Sequence, residues 1–350
     1  MTNPMVTINL VVYDGEKYLR HVLDSVLAQT YPHELIELNI FDNNSSDKTK
    51  EIATSYKLRT TNFANFSLVE SRENLGMWPG QEKALESSHG KYVVALSVDI
   101  ILDKDFVKNT VEAMEKDEKI GALQPKLYQW SLTNLDPSAH ILKPKIIDTV
   151  GFQIFRSRKI TNIGHGQEDR GQFNEQKGVF AVEGAVPVLR REALESVRID
   201  GRIIDHDYFW YGDDLDLLWR MRLFGWKQVY NPQVIAWHDR STTKGVSHNW
   251  LGYFRRVKER RKIPIKKRRL DWSNVRFTII KNDYIINMLK DLPRIAAREI
   301  AVLGYTLLFE PMVLLEAGRF FRLLPRMLKC RAQIMKLAKA TPQEMRKWLK

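Results

Sequence analysis

Three carboxylates fall within four positions in Tyr208-Phe209-Trp210-Tyr211-Gly212-Asp213-Asp214-Leu215-Asp216-Leu217, behind a run of aromatics and ahead of an apolar stretch. Acids this close resist ionising together when buried, so the cluster calls for a proton, a metal or a basic substrate group. Beside Trp210 and Tyr211 it suits a general base facing a sugar hydroxyl. The competing reading is a helix N-terminus, where acids are favoured by the macrodipole. Two more acids end strand-like runs. Asp42 reads either as an Asx-turn or cap, or as an acceptor for the base or ribose of a nucleotide. Asp99 reads either as a cap or as a ligand for a hard cation bridging a diphosphate. His238 follows another strand-like run, 24 residues after Asp214. An Asp with a His can hold Mg²⁺ or Mn²⁺, and His favours the latter.

The elements that must position these residues alternate. Val6–Val12 is β-branched and nearly all apolar, which predicts a buried parallel strand. Apolar residues at helical spacing follow over 18–27. Strands are expected at 35–41, 66–69 and 92–98, with helices at 48–56, 81–88 and 104–114. This alternation predicts an α/β fold with a doubly wound, mostly parallel sheet and ligand loops at the carboxyl ends of its strands. Residues 121–178, with Pro125, Pro137 and Pro144, read as a long irregular stretch. A strand over 179–189 has Gly184 inside it, which marks a close approach of the backbone to a ligand. Helices are expected at 190–197 and 215–223, and short strands at 227–230 and 234–237.

Hydrophobic residues make up 44% of the 350 positions, enough for a full core. Cys330 is the single cysteine, which excludes an intrachain disulfide and fits a cytoplasmic setting. The first residues show no basic segment or cleavage site, so no signal peptide is expected. Charge is divided. Residues 240–350 carry 27 Lys and Arg against 8 Asp and Glu, net +19, and the first 239 carry the remaining 28 and 34, net −6. Such a tail seeks an anionic partner. It opens with Arg260, Arg261, Lys262, Lys266, Lys267, Arg268 and Arg269 within ten positions. Apolar-rich segments follow, punctuated by Pro293, Pro311 and Pro325, and the longest uncharged run has ten residues (300–309), too short to span a bilayer. The mixture predicts helices lying in a membrane interface, with an ordinary helical subdomain as the alternative. Nucleic acid is not expected as a partner, since no groove-reading or base-stacking module accompanies the charge.

Taken in order, several stretches resemble the inverting family-2 glycosyltransferases of GT-A fold, closest to their bacterial rhamnosyltransferase-like branch. They are Val11-Val12-Tyr13-Asp14-Gly15, Ala28-Gln29-Thr30-Tyr31-Pro32, Phe41-Asp42-Asn43-Asn44-Ser45-Ser46-Asp47, Arg72-Glu73-Asn74-Leu75-Gly76, Leu96-Ser97-Val98-Asp99, Ile147-Asp148-Thr149-Val150-Gly151, Gly164-His165-Gly166, Tyr211-Gly212-Asp213-Asp214 and Trp237-His238. The likeness covers about residues 5–245.

The resemblance implies a catalytic GT-A domain over 1–245, with a nucleotide-sugar half to about 120 and an acceptor half beyond. A basic, amphipathic helical region, 246–350, would associate with the cytoplasmic face of a membrane. It implies that Asp42, Arg72, Asn74, Ser97 and Asp99 face the nucleotide sugar, and that Asp99 and His238 hold a divalent metal, Mg or Mn. Asp214 would be the base, Asp213 its support, and Trp210 and Tyr211 would face the acceptor. Ser97 stands where the family's metal motif begins with an acid, and Asp213 where Glu is usual. The implied donor is a dTDP- or UDP-sugar, foremost dTDP-rhamnose, and the implied acceptor a glycan on polyprenyl diphosphate. The reading from another class is a non-catalytic GT-A-like glycan-binding or scaffold protein at the membrane.

Overall fold

The computed structural model describes residues 3–132, 145–240, 257 and 260–350. The domain boundary expected at 245/246, and Pro137 and Pro144 of the expected long loop, lie outside the described residues. Strands β1 (Val6–Val12), β2 (Ile36–Asp42), β3 (Asn65–Glu70) and β4 (Tyr92–Ser97) pair in parallel in the order β4-β1-β2-β3. Helices α1 (Leu19–Leu27), α2 (Thr49–Tyr56) and α3 (Met77–Ala84) connect them. All seven residues of β1 and of β2 are buried, as strands covered on both faces must be. Helix α1 buries Leu19, Val22, Leu23 and Val26, the apolar positions of its 3.6-residue period. Parallel pairing sends the loops after β1, β2 and β4 to one edge, and the site forms there.

Further on come β5 (Ile100–Leu102), α4 (Phe106–Met114), β6 (Ile120–Gln129) and β7 (Ile147–Thr149). The hairpin β8 (Phe152–Ile154)–β9 (Ile160–Asn162), β10 (Lys177–Gly178), β11 (Val188–Arg190), α5 (Arg191–Ser196), α6 (Asp213–Leu223) and β12 (Lys227–His238) complete this half. The main sheet runs β10-β12-β6-β11-β4-β1-β2-β3, with β5 beside β12 and β7 beside β6. It is therefore mixed. β11 lies antiparallel to both β4 and β6, while β6 and β12 are parallel.

Several expectations change here. The stretch from 121 holds β6, a ten-residue central strand. Gly121, Gln124, Pro125 and Lys126 break its apolar pattern. Their polar groups find partners only through the fold, such as Asp169 Oδ2, which lies 2.9 Å from Lys126 Nζ. Of the expected strand 179–189 only the end pairs as β11. The expected strands 227–230 and 234–237 are one strand, β12, irregular between Asn231 and Ile235.

The C-terminal chain forms α7 (Ile265–Asn282), α8 (Ile285–Lys290), α9 (Leu292–Phe309), a 3₁₀ turn (Pro311–Glu316), α10 (Ala317–Leu337) and α11 (Pro342–Arg346). Its inner helix α7 packs on α6 and α10, with Phe277 stacked on Phe320 at 4.9 Å between centroids. Buried Arg158 joins this region to the sheet domain, 2.6 Å from Asp283 Oδ2 and 2.7 Å from Asp291 Oδ2. By contrast α9 buries only Thr306, and Ile300, Leu303, Leu307 and Leu308 stand exposed. Among the described residues no single helix is long and apolar enough to cross a membrane.

The basic run is not the free cluster its sequence suggests. Arg260 Nε donates to Glu310 Oε1 at 2.9 Å, and Arg260 also reaches Asp271. Arg261 donates to the Phe309 carbonyl, Arg268 to that of Ile263 and Arg269 to that of Met312. Glu310 is buried, and a buried carboxylate needs such a cation beside it. Lys266 and Lys267 lie over the rings of Phe209 and Trp210, and Lys262 is exposed.

Candidate active site

One cavity of about 510 Å³ collects the strand-end residues. Tyr13 and Asp14 follow β1, Asn43 follows β2, and Ser97, Val98 and Asp99 end β4. Asn74 and Gly76 come from the turn before α3, and Glu183, Gly184 and Ala185 from the turn before β11. The cavity is completed by Phe209, Trp210 and Tyr211, by Asp213 and Asp214 at the start of α6, by His238 and Arg240 at the end of β12, and by Lys267 of α7.

The expected cation ligands meet. His238 Nε2 lies 3.4 Å from Asp99 Oδ2, and its Nδ1 lies 2.9 Å from Asp148 Oδ2. Burial alone would lower the imidazole pKa, but Asp148 and Asp99 outweigh it and push it up to about 10. Burial would raise Asp148, yet His165, His238 and Arg240 hold its carboxyl well below the ordinary range. A carboxylate behind the far nitrogen of a histidine is the arrangement that orients a metal-bound ring. Among the described residues no cluster of three or more potential ligands occurs. The pair Asp99 and His238 puts one oxygen and one nitrogen donor at the cavity wall, a donor set that would suit a divalent cation.

The acid pair is at the start of α6. Both acids line the cavity, Asp213 buried and Asp214 the more exposed of the two. Burial, compounded for Asp213 by the charge of Asp214 and for Asp214 by that of Glu183, raises both carboxyls above the ordinary range. Backbone amides oppose the rise: Asp213 Oδ1 accepts from the Asp214 N–H at 3.1 Å and Asp214 Oδ1 from the Leu215 N–H at 2.7 Å. Each therefore holds a proton more readily than a surface carboxylate does, and Asp214, the more exposed of the two, is placed to accept one. Gly184, expected to approach a ligand, lines the cavity and also lies against Asp214: a Cβ there would lie 2.5 Å from Asp214 Oδ2.

Not every expected residue reaches the cavity. Asp42 is fully buried beneath it, its carboxylate accepting from the Ser45 N–H at 3.2 Å with Lys50 Nζ 3.8 Å away. That is the turn arrangement, and Asn43 lines the cavity in its place. Arg72 is exposed outside the lining, while Asn74 and Ser97 belong to it. Asn43 Nδ2 donates to Asn74 Oδ1 and to the Gly76 carbonyl, both at 3.0 Å, which ties the two expected nucleotide loops together. Trp210 is 40% exposed with Tyr211 stacked against it at 5.8 Å, an aromatic platform beside Asp214.

Sequence reasoning missed Glu183, Arg240 and Lys267. Arg240 NH2 donates to Glu183 Oε1 at 2.7 Å and to Asp148 Oδ2 at 3.0 Å. Nothing local to either residue signals this, although Arg240 lies two residues after His238. Lys267 Nζ sits 3.3 Å from the centroid of the Trp210 ring, and burial lowers its pKa. The basic run in which it lies predicts a lipid contact for it, and the ring contact is visible only in the fold.

Residues 7–198 match the family model described as Glycosyl transferase family 2. Among curated proteins the chain is 24% identical over 234 residues to a poly-beta-1,6-N-acetyl-D-glucosamine synthase of Staphylococcus epidermidis, covering 65% of this chain and 48% of that protein. The chain thus spans about half the length of the curated relatives it matches. Among solved structures it is similar to residues 1–349 of S. aureus TarS in complex with UDP, with TM-score 0.55, 14% identity, and coverage of 98% of this chain and 91% of that one. It is also similar to GalNAc-T7 with UDP, GalNAc and Mn²⁺, with TM-score 0.52, 14% identity, and coverage of 73% and 48%. These two likenesses are of fold.

Proposed function

The chain belongs to glycosyl transferase family 2, and on that premise we propose that it is a metal-dependent inverting glycosyltransferase with Asp214 as its base. The observation that carries this reading is a single cavity with Asp214 on one side, the Asp99–His238 pair on another, and the Asn43–Asn74 loops between β-strand ends. In the proposed reaction the acceptor hydroxyl loses its proton to a carboxylate oxygen of Asp214. Its oxygen forms a bond to the anomeric carbon as the bond from that carbon to the donor phosphate oxygen breaks on the opposite face. Asp213 supports the base from the preceding position, and Trp210 and Tyr211 hold the acceptor ring against bulk water. Asp99 and His238 would hold a divalent cation, which would supply charge neutralisation for the nucleoside diphosphate leaving group.

The donor we propose is a dTDP- or UDP-sugar. The motif order favours dTDP-rhamnose, and the UDP bound by the TarS neighbour favours the uridine nucleotide. The acceptor is a hydroxyl of a growing cell-surface glycan carried on polyprenyl diphosphate. We place the enzyme on the cytoplasmic face of the membrane, docked through the C-terminal helices. The exposed apolar side chains Ile300, Leu303, Leu307, Leu308 and Leu315 support that docking. Nucleotide release from a panel of UDP-, dTDP- and GDP-sugars, with Mn²⁺, Mg²⁺ or EDTA and crude lipid-linked acceptor, tests the reading. Release from one donor that needs metal and acceptor is expected. Absence of release and of nucleotide binding across the panel would turn the assignment to a scaffold.

A further inference from the structure

The loop that delivers the acid pair has a costly backbone. Phe209 (φ 57°), Tyr211 (φ 64°) and Gly212 (φ 81°) are all in the left-handed region, which disfavours side chains at the first two. Such a conformation persists only where its surroundings over-determine it. Two contacts do so from opposite sides. On the nucleotide side, Gly76 lies so close that a Cβ there would be 2.2 Å from the Phe209 carbonyl oxygen. On the other side stands α7. Fully buried Asn274 places Nδ2 2.9 Å from the Tyr208 carbonyl, 2.8 Å from that of Trp210 and 2.9 Å from that of Tyr211. One turn on, Thr278 Oγ1 donates to the Gly212 carbonyl at 3.2 Å.

We propose that Asn274 is a positioning residue for the base: through these carbonyls it sets the loop 208–212 and hence the carboxylate of Asp214. This rests on the reading of Asp214 as base. Side-chain chemistry narrows the choice of residue. Three carbonyls converge on one nitrogen, and only an amide offers two N–H groups there on a stem this short. Aspartate has no donor to give, and serine has one. Glutamine is a methylene longer in a site with no exposed surface. The C-terminal helices thereby form one wall of the catalytic apparatus as well as a surface for docking.

The test compares Asn274→Ala, Asn274→Ser and Asn274→Asp with Arg276→Ala in the full chain. Arg276 is on the same helix and donates to Glu299 and to the Trp272 carbonyl, away from the loop. Turnover, donor KM, thermal midpoint and amide exchange are read together. We expect Asn274→Ala to lower kcat about 100-fold with donor KM nearly unchanged. Amide protection should be lost over 208–216 and kept in the central strands. Asn274→Ser should recover part of both effects and Asn274→Asp none. Arg276→Ala should keep kcat.

Unchanged kcat in Asn274→Ala would overturn the proposal. So would equal losses in Asn274→Ala and Arg276→Ala, accompanied by exchange throughout the chain. Should Asn274→Ala not be recovered folded, Thr278→Val removes one bond to the same loop and is expected to lower kcat by a smaller factor. Its full retention of kcat would count against the clamp. Wild-type turnover by Asp214→Asn would sink the base assignment itself, whatever the exchange data show for Asn274.

Discussion

The carboxylate of Asp214 rests against the backbone of Gly184. A Cβ built on Gly184 would lie 2.5 Å from Oδ2, 2.7 Å from Cβ and 2.9 Å from Cγ of Asp214. The clash therefore involves the root of the side chain as well as its tip, and rotating the carboxyl does not relieve it. The start of α6 would have to shift. Gly184→Ala is expected to lower kcat about 100-fold, the penalty typical of a misplacement near 1 Å. Nucleotide binding, measured by calorimetry, should be retained. Wild-type turnover would mean that Asp214 works from some other position.

Asp214→Asn removes the proton acceptor and keeps the shape. The expected loss in transfer is about 10²–10⁴-fold, with nucleotide affinity within a factor of about two of wild type, since the nucleotide loops are not touched. Single-turnover transfer with labelled donor, alongside equilibrium binding, separates the two quantities.

The acid pair predicts the pH dependence of the rate. Asp214 must be ionised to accept a proton, and burial, with the charge of Glu183 beside Asp214 and that of Asp214 beside Asp213, raises both above the ordinary carboxylate range. Arg240 and the backbone N–H groups act in the opposite direction. The rate should therefore fall as pH drops through a value higher than that of a free carboxylate. The charge of Asp214 lifts Asp213 further, so Asp214 ionises first beside a protonated Asp213. Asp213→Asn keeps that neutral partner, so its acid limb should stay in place. A limb that moves to lower pH would show that Asp213 is ionised while the base titrates.

Membrane docking is expected to depend on apolar side chains more than on the basic run. Ile300→Asp with Leu307→Asp and Leu308→Asp should release the chain from vesicles in flotation, anionic or neutral, because these side chains are exposed. Charge reversal at Lys266 and Lys267 should lower turnover first, since both lie over aromatics of the cavity mouth. If flotation survives the apolar substitutions and is lost on charge reversal, docking is electrostatic.

Buried Lys281 joins the two parts of the chain, its Nζ 2.8 Å from both Asp205 Oδ2 and Asp216 Oδ2. Removing one member of a buried ion network strands the others, so Lys281→Met should cost about 3–5 kcal/mol near neutral pH. Burial would raise Asp205, yet Lys281 and Arg326 hold its carboxyl well below the ordinary range. Its stabilising contribution is thus present above the unfolded pKa and lost as pH falls through the folded one. Denaturant melts at neutral and acid pH should show the penalty of Lys281→Met shrinking toward acid.

The sequence by itself determined the nucleotide-side half of the sheet and the acids at its edge. Val6–Val12 is β-branched and nearly all apolar, the strand ending at Asp42 places apolar residues at 36, 38, 40 and 41, α1 has a clean helical period, and turn residues fall between them, all of which are local signals. The same locality placed Asp99, Asp214 and His238 at element ends, where an α/β sheet gathers its ligands. Only the tertiary structure decided which partners those residues have. Asp148 stands behind His238 from 90 positions away, and Asn274 reaches the 208–211 carbonyls from 63 or more. Strand β6 hid because its polar residues find partners only after folding. The basic run looked free for the same reason: charge is visible in a sequence, whereas the buried Glu310 and the carbonyls that take up Arg260, Arg268 and Arg269 are brought to them by packing. Periodicity and turn chemistry are written over a few neighbouring residues, while hydrogen-bond partners distant in sequence are fixed by the packing of helices against the sheet.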